Sequence, residues 1–495
     1  MNTLLVYLPY EGADKHLPLG IAYLAAVLQN EGLPVSALDM NTAPSPWYAL
    51  KDALVSLAPG IVGLSFMTPM TPAAVRAATL IRNHSKKIFI TAGGPHASAI
   101  PEDVLLHSSI NCVVVGEGEE TFLELVKTIA AARTPKLRAV KGIVFRDRDL
   151  VFRTGARGLI RDLDSIPFPA RRLFDHDRYG ANPLGLVKRS ALPSRAKLTV
   201  FNLITSRGCT GQCAFCDSHS VFLRKFRPRT AENIMAEITC LVDEYDMKFM
   251  DFVDDTVTIQ KPRIMKLCDM IIAAGLDSLR WSCNVRANTV DPELFKKMFA
   301  AGCRRVEIGV ESGDPQLLDA IHKNITIDQF RQAFLWAKQA NLLTMGFFMT
   351  GLPGQDARSV EKTLRLIESL GCDMPCFSLA TPYPGTELFE VAREKNLIAT
   401  TDWSAYVTTG DVRARTLPMK SDVLSDAELR KVHRDAVAFA ARFTLRSLYG
   451  RLFFLNPALY ADVLRRKNIL KDWRELLSRA AALLRSAARP AHSHK

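Results

Sequence analysis

The sequence predicts an α/β protein: an open, doubly wound parallel sheet, then a partial barrel of six strand-helix units, then a basic helical tail. Three observations predict it. Short apolar runs alternate with helical patterns over residues 1–130, the same rhythm resumes from Leu198 after a Pro-rich interval, and it stops after about Leu397.

Residues 1–130 read as strands at Leu4–Tyr7, Val35–Leu38, Ile61–Phe66, Ile88–Thr91 and Val113–Val115, with helices at Gly20–Asn30, Ala73–Asn83 and Glu119–Ala132. Open sheets of this kind bind ligands at the carboxyl ends of their strands. The segments expected there are Pro9–Pro18, Ser65–Pro72, Gly93–His96 and Gly116–Glu119. Between 136 and 195 the pattern predicts a hairpin over Gly142–Arg153, turning at Arg148-Asp149, and then a linker around Asp162–Pro169. Six further strands follow at Val200–Thr205, Phe249–Val253, Ser278–Ser282, Arg305–Val310, Thr344–Met349 and Cys376–Ala380. The expected units are therefore 1–135, a linker with a hairpin at 136–195, the partial barrel at 196–397 and a helical region at 398–495.

A chain of 495 residues exceeds one core, and its composition is that of a globular protein. The short apolar run after Met1 lacks the basic flank and cleavage site of a signal peptide, so a reducing cytoplasm is the expected compartment. No stretch of about twenty apolar residues predicts a spanning helix. The net charge of +13 is concentrated late: residues 440–495 hold twelve Lys/Arg against three Asp/Glu. There Arg442–Arg451 and Val463–Arg489 interleave Leu, Phe and Trp473 with basic residues at helical spacing. Such a face either packs on the barrel or lies on an anionic membrane surface, leaving peripheral membrane association open. No nucleic-acid-binding module is recognisable, so nucleic acid is not an expected partner.

The chemistry concentrates in Ser206-Arg207-Gly208-Cys209-Thr210-Gly211-Gln212-Cys213-Ala214-Phe215-Cys216, which places three thiols in one loop after a strand. Thiolates are the usual protein ligands of iron-sulfur clusters. A zinc site is one alternative, completed by His219. A redox pair of Cys213 and Cys216, or three inert cysteines, are the others. Cys112, Cys240, Cys268, Cys283 and Cys303 sit singly in apolar patterns and are expected to be buried small hydrophobes. Cys372 and Cys376 form one loose pair, too few for a second cluster.

The Cys-x-x-x-Cys-x-aromatic-Cys pattern, with Phe215 before its last cysteine, resembles the signature of the radical S-adenosylmethionine superfamily. Asp254-Asp255, Arg286 after Trp281-Ser282-Cys283-Asn284, Gly309-Val310-Glu311-Ser312-Gly313 and Gly351-Leu352-Pro353-Gly354 follow in the family's order. The resemblance implies that Cys209, Cys213 and Cys216 hold one 4Fe-4S cluster whose fourth iron chelates S-adenosylmethionine. It further implies cofactor contacts from Phe215, Asp254, Asp255, Ser282, Arg286 and Glu311.

Upstream, Leu17-Pro18-Leu19-Gly20, Ala92-Gly93-Gly94-Pro95-His96 and Val115-Gly116-Glu117-Gly118-Glu119 resemble the cobalamin-binding class of these radical enzymes, over about residues 1–395. Glycines at strand ends let backbone approach a large flat ligand. By this resemblance Ser65, Gly93, Gly94, Pro95, His96, Gly116, Glu117 and Gly118 are expected to contact cobalamin. The Asp-x-His-x-x-Gly loop of histidine-ligated corrinoid domains is absent: the loop reads Tyr10-Glu11-Gly12-Ala13-Asp14-Lys15-His16, so no protein histidine is expected below the cobalt.

The class implies reductive cleavage of S-adenosylmethionine to a deoxyadenosyl radical, followed by methylation of an unactivated carbon in a small or lipid-like metabolite. It also implies an electron donor such as flavodoxin or ferredoxin. Oxidative cyclisation or ring rearrangement is the alternative within the class; a zinc-bearing scaffold is the alternative outside it. Methylthiotransfer is disfavoured, because that family carries three further cysteines in its N-terminal domain and this chain has Cys112 alone there. No residue is assigned a catalytic role beyond these.

Overall fold

The computed structural model describes residues 1–10, 16–132, 134–148, 150–179, 199–407 and 416–449. Two large sheets organise them. The first contains β1 (Thr3–Tyr7), β2 (Val35–Asp39), β3 (Ile61–Ser65), β4 (Phe89–Gly93), β5 (Cys112–Val114), β6 (Ile143–Asp147) and β7 (Leu150–Arg153), in the order β2-β1-β3-β4-β5-β6-β7. The first five run parallel and the last two antiparallel.

The strands are apolar on both faces because helices cover both. Leu4 and Val6 of β1 pack into one core with Leu50, Leu54, Ala74 and Ile81, while Leu5 packs into another with Ile21, Leu28, Phe122 and Leu125. Strand order reverses between β1 and β3, the kind of switch point beside which open sheets of this type take their ligands. The hairpin expected inside the linker instead continues this sheet, because β6 pairs with β5. Of its turn, Arg148 is left-handed (φ +56°) and Asp149 lies outside the described residues. The sequence reading also missed the helix Pro46–Leu57, whose exposed Tyr48 and Val55 blur its apolar stripe.

The second large sheet contains β8 (Val200–Leu203), β11 (Phe249–Phe252), β12 (Arg280–Val285), β13 (Cys303–Glu311), β14 (Leu343–Thr350) and β15 (Met374–Leu379), all parallel, in sequential order. Between β8 and β11 lies a short ribbon of β9 (Ser206–Arg207) and β10 (Arg227–Pro228). Sequential order with a helix after each strand curls a sheet one way, which yields a partial barrel. β12 begins two residues later than expected, since the turn closed by Leu279 N–H on the Leu276 carbonyl (3.0 Å) takes up Ser278 and Leu279.

The barrel's outer face is a continuous core: Val306, Ile308 and Val310 of β13 pack among Leu294, Phe295, Phe330 and Phe334 of the covering helices. Trp281, 1% exposed, anchors it, donating its indole N–H to the Ala301 carbonyl at 2.8 Å. Helix Asp426–Tyr449 then packs on β15 and on helix Ala357–Leu370, with Ala436 and Ala440 buried. This described part of the basic tail is therefore barrel-packed; Val463–Arg489 and Trp473 lie outside the described residues. Among the described residues no helix is long and apolar enough to cross a membrane. Trp281→Ala is expected to cost about 3–5 kcal/mol through its cavity, read as a lowered urea midpoint of barrel unfolding.

Candidate active site at the facing strand ends

The cysteine loop hangs from a buried joint. Asp254, just past the end of β11 and 2% exposed, accepts the Thr205 N–H (2.7 Å), the Thr205 hydroxyl (2.6 Å) and the Ser206 hydroxyl. Burial pushes its carboxyl up, against these hydrogen bonds and the nearby Arg263 charge. Gly208 follows with φ +79°, and a Cβ there would overlap the Lys225 carbonyl oxygen, so only glycine turns the chain into the loop.

Beyond Gly208, Cys209 and Cys213 are buried and Cys216 is half-buried. Cys209 Sγ accepts the Gly211 N–H at 3.3 Å and lies 3.6 Å from the Thr256 hydroxyl. Arg286 Nη1 sits 3.8 Å from Cys213 Sγ. Such donors tune a cluster's potential. The loop is pinned from below, where Ala214 N–H donates to the Ile321 carbonyl and the Ala214 carbonyl accepts from Leu388 N–H. Burial, ahead of the Asp255 and Asp217 charges, pushes the Cys216 thiol up to about 12, so it stays protonated until a metal displaces the proton.

Among the described residues no three Cys, His, Asp or Glu side chains converge on one point. A single zinc ion would hold its thiolates within about 4 Å of one another, given Zn–S bonds of about 2.3 Å. Three thiols in one loop are a donor set that an iron-sulfur cluster takes, whereas the four-ligand set of a structural zinc site is not formed among the described residues.

The residues expected to face S-adenosylmethionine separate into two groups. Arg286 joins the thiols to β13: its Nη2 donates to the Lys323 carbonyl (3.0 Å), and Lys323 Nζ pairs with Glu311 at 2.9 Å. Glu311 is left-handed (φ +70°) at a register shift between Gly309 and Glu311, and strain of this kind persists where surroundings hold it. Asp255 accepts the Ser218 hydroxyl at 2.5 Å beside the loop, and Phe215 packs on the barrel core. Asp254 and Ser282 differ from expectation. Asp254 is occupied by the joint, and Ser282, with 0% exposure, donates to Asp251 (2.6 Å) and accepts from Arg305 (3.2 Å).

Asn284 was missed. It is two residues after Ser282 on the same face of β12, half-exposed, and anchored by its Nδ2 on the Asp254 carbonyl (3.0 Å). Period-two counting along Trp281-Ser282-Cys283-Asn284 carries the signal. Lys323 offered none, because its partnership with Glu311 arises only in three dimensions.

The inner face of the barrel is not filled. Asp251, Asn284, Glu307, Met345, Phe347, Cys376 and Ser378 are half-exposed on successive strands, while their outward neighbours are buried. Cys376 therefore lines this face, whereas Cys372 is buried; Cys240, expected to be buried, is half-exposed and donates to Glu244 at 3.5 Å.

The first sheet presents its own strand ends. Ser65 ends β3 in register with Tyr7 and Gly93. Gly94 (φ +99°) has no room for a Cβ, which would lie 2.6 Å from the Phe66 carbonyl oxygen, and Pro95 starts the next helix. Gly116 (φ +79°) has nothing within 4 Å of its missing Cβ and donates its N–H to Ser98 at 3.0 Å. Gly118 packs closely on Leu24. Thus Gly94 and Gly118 serve the turns, while Gly93 and Gly116 leave space. Glu117 is not free for a ligand, since Arg207 and Arg227 hold both its oxygens.

His96 is 1% exposed, with Nδ1 3.2 Å from the Thr68 hydroxyl and Nε2 buried without a hydrogen-bond partner. Burial lowers it from 6.5 to about 4, so it is neutral near pH 7. Trp403, in a short helical turn after the barrel, meets the His96 ring edge-on at 5.1 Å, and that turn packs on Thr68–Met70. Nothing in the irregular sequence around Trp403 points there. An orphaned buried nitrogen after β4 and an open glycine turn after β5, both at the carboxyl ends of the first sheet's strands, fit a corrin with polar side chains. The loop after β1 that departs from the histidine-ligated pattern lies at Glu11–Lys15, outside the described residues.

Comparison with known proteins accords with this geometry. The Radical SAM superfamily matches residues 203–367, and the B12 binding domain family matches residues 11–126. An uncharacterized methyltransferase of Pyrococcus horikoshii is 33% identical over 445 residues, covering 88% of this chain and 91% of that protein. The chain belongs to the cobalamin-binding radical S-adenosylmethionine family. Its cofactors are those of the family: a 4Fe-4S cluster, S-adenosylmethionine and cobalamin. An anaerobic magnesium-protoporphyrin IX monomethyl ester cyclase of Cereibacter sphaeroides is 31% identical, covering 80% of this chain but 63% of the cyclase. The fold is also that of a radical S-adenosylmethionine methyltransferase of Kitasatospora setae, solved with cobalamin and a 4Fe-4S cluster (TM-score 0.66, 17% identity, 88% of this chain and 84% of that one).

Because the unfolded chain protonates His96 near pH 6.5 and the folded chain only near 4, its contribution is complete above 6.5 and fades as pH falls between these values. The loss of stability between pH 7 and 4 should therefore be smaller by roughly 3 kcal/mol in His96→Gln, measured by urea unfolding at both pH values. Gly208→Ala should lower iron and sulfide content after anaerobic reconstitution while leaving the first sheet folded, read by metal analysis beside hydroxocobalamin binding.

Proposed function

We propose that this chain methylates an unactivated carbon of a small, largely apolar molecule, using Cys209, Cys213 and Cys216 as cluster ligands. The observation that carries the reading is the cysteine loop at the strand ends of the barrel, tied through Arg207 to the Gly116–Gly118 loop of the first sheet. When bound, the cofactors supply a deoxyadenosyl radical and a methyl group. Arg286, Asp255, Glu311, Asn284 and Phe215 would orient S-adenosylmethionine beside the thiols. Ser65, Gly93, Gly116 and His96 would face the corrin; Gly94, Pro95 and Gly118 would shape its loops.

The half-exposed inner face of the barrel is the place for substrate. Met345 and Phe347 on β14 give it an apolar wall that keeps water from a reactive carbon, while Glu307, Cys376 and Ser378 offer polar groups along adjacent strands. That wall supports a lipid-like substrate. Reduction calls for an external one-electron donor of the flavodoxin or ferredoxin class. Contact with an anionic membrane rests on the basic periodicity of Val463–Arg489 alone.

The test is anaerobic incubation of reconstituted protein with S-adenosylmethionine, reductant and cobalamin. Deoxyadenosine together with S-adenosylhomocysteine is expected; deoxyadenosine alone would overturn methyl transfer in favour of cyclisation or rearrangement. Alanine at Cys209, Cys213 or Cys216 is expected to abolish deoxyadenosine formation while hydroxocobalamin binding persists.

A further inference from the structure

Two arginines of the cysteine-loop ribbon meet two glutamates of the β5 loop in a closed cluster. Arg207 Nη1 donates to Glu117 at 2.7 Å and its Nη2 to Glu119 at 2.5 Å. Arg227, the register partner of Arg207 across β9 and β10, donates twice to Glu117, at 2.7 and 3.0 Å. Glu117 also accepts the Ile160 N–H at 2.9 Å, and Arg227 also reaches the Ile160 carbonyl at 2.6 Å. All four side chains are between 5% and 11% exposed. The charges balance, and both Glu117 oxygens are used. Although burial pushes the Glu117 carboxyl up, Arg227 and Arg207 hold it below the ordinary range.

The position of the cluster is more informative than its strength. A buried ion network adds little net stability over an apolar equivalent, because desolvating its charges offsets their attraction. What it does supply is geometry, since arginines gripping carboxylates with two nitrogens fix orientation as well as distance. Both cations flank the cysteine loop: Arg207 is two residues before Cys209, and Arg227 lies on the strand paired with it. Glu117 belongs to the loop whose Gly116 is left-handed with open space before it, and Glu119 is the first residue of the helix that this loop enters. Displacing the Gly116–Gly118 turn therefore pulls on Arg207, and through Gly208, which has no slack against Lys225, on Cys209.

We propose that this two-arginine, two-glutamate cluster couples occupancy of the corrin loop to S-adenosylmethionine binding at the cysteine loop, with Arg207 and Glu117 as positioning residues. The inference rests on the cofactor assignment made above. It requires that each ligand change the other's affinity by the same factor, because equilibrium coupling is reciprocal.

The experiment uses the full chain with its cluster reconstituted. S-adenosylmethionine affinity is read from the perturbed electron paramagnetic resonance signal of the reduced cluster, with and without hydroxocobalamin. Hydroxocobalamin affinity is read from visible absorption, with and without S-adenosylmethionine. The expected wild-type coupling factor is about fivefold or more in both directions. In Glu117→Gln it should fall to within about twofold of unity, with iron content and each ligand's separate binding retained. Arg207→Lys keeps the charge but loses the two-pronged grip, and should show the same loss should Glu117→Gln fail to fold. A wild-type factor of unity, or an undiminished factor in the variants, overturns the coupling and leaves the cofactor assignment standing. Failure of the wild type to bind hydroxocobalamin overturns both.

Discussion

One buried carboxylate, Asp254, determines where the chemistry of this chain sits. Its three hydrogen bonds to Thr205 and Ser206 lock the end of β11 to the chain leaving β8. An unpaired acceptor in that position would cost more than the bonds gain, so the joint is strongly specified. Everything downstream inherits its direction: β9, the glycine turn at 208 and the three thiols. The same aspartate positions the inner face, because its backbone carbonyl holds Asn284. A residue that reads in sequence as a cofactor ligand is thus the peg from which the ligands hang.

The alternation of strands and helices was legible because both sheets are covered by helices, which imposes apolar strands and amphipathic helices alike. The thiol motif was legible because its ligands are local, within eight residues. The corrections all concern side chains whose role depends on distant partners. Glu117 stands between two open-looking glycines, yet Arg207 and Arg227 engage it from about 90 and 110 residues away. Ser282, expected to end its strand, lies inside β12 and is closed off by Asp251 and Arg305. The hairpin at β6 and β7 was visible as a hairpin, and its attachment to β5 was not, because pairing register between apolar strands leaves no mark in composition.

The two sheets meet as neighbours whose polar contacts are concentrated at their seam. Besides the arginine-glutamate cluster, Asn202 of β8 donates to the Leu17 carbonyl at 2.8 Å, and Arg171 bridges Asn202 and Glu237. The segment between the sheets is part of this seam: Ala170 N–H reaches the Ala22 carbonyl, and Asp164 accepts from Thr230 at the start of helix Ala231–Tyr245. The expected linker therefore behaves, over its described residues, as mortar on both faces.

Trp403 gives the architecture a temporal side. The ring that covers His96 leaves the ribosome about 300 residues after the histidine it covers. The first sheet is complete at Arg153, about 250 residues before Trp403, so at about 5–20 residues per second it spends roughly 12–50 s complete but uncapped during synthesis. His96 thus gains its last aromatic neighbour only after the whole barrel has been made, an order set by the chain and not by affinity.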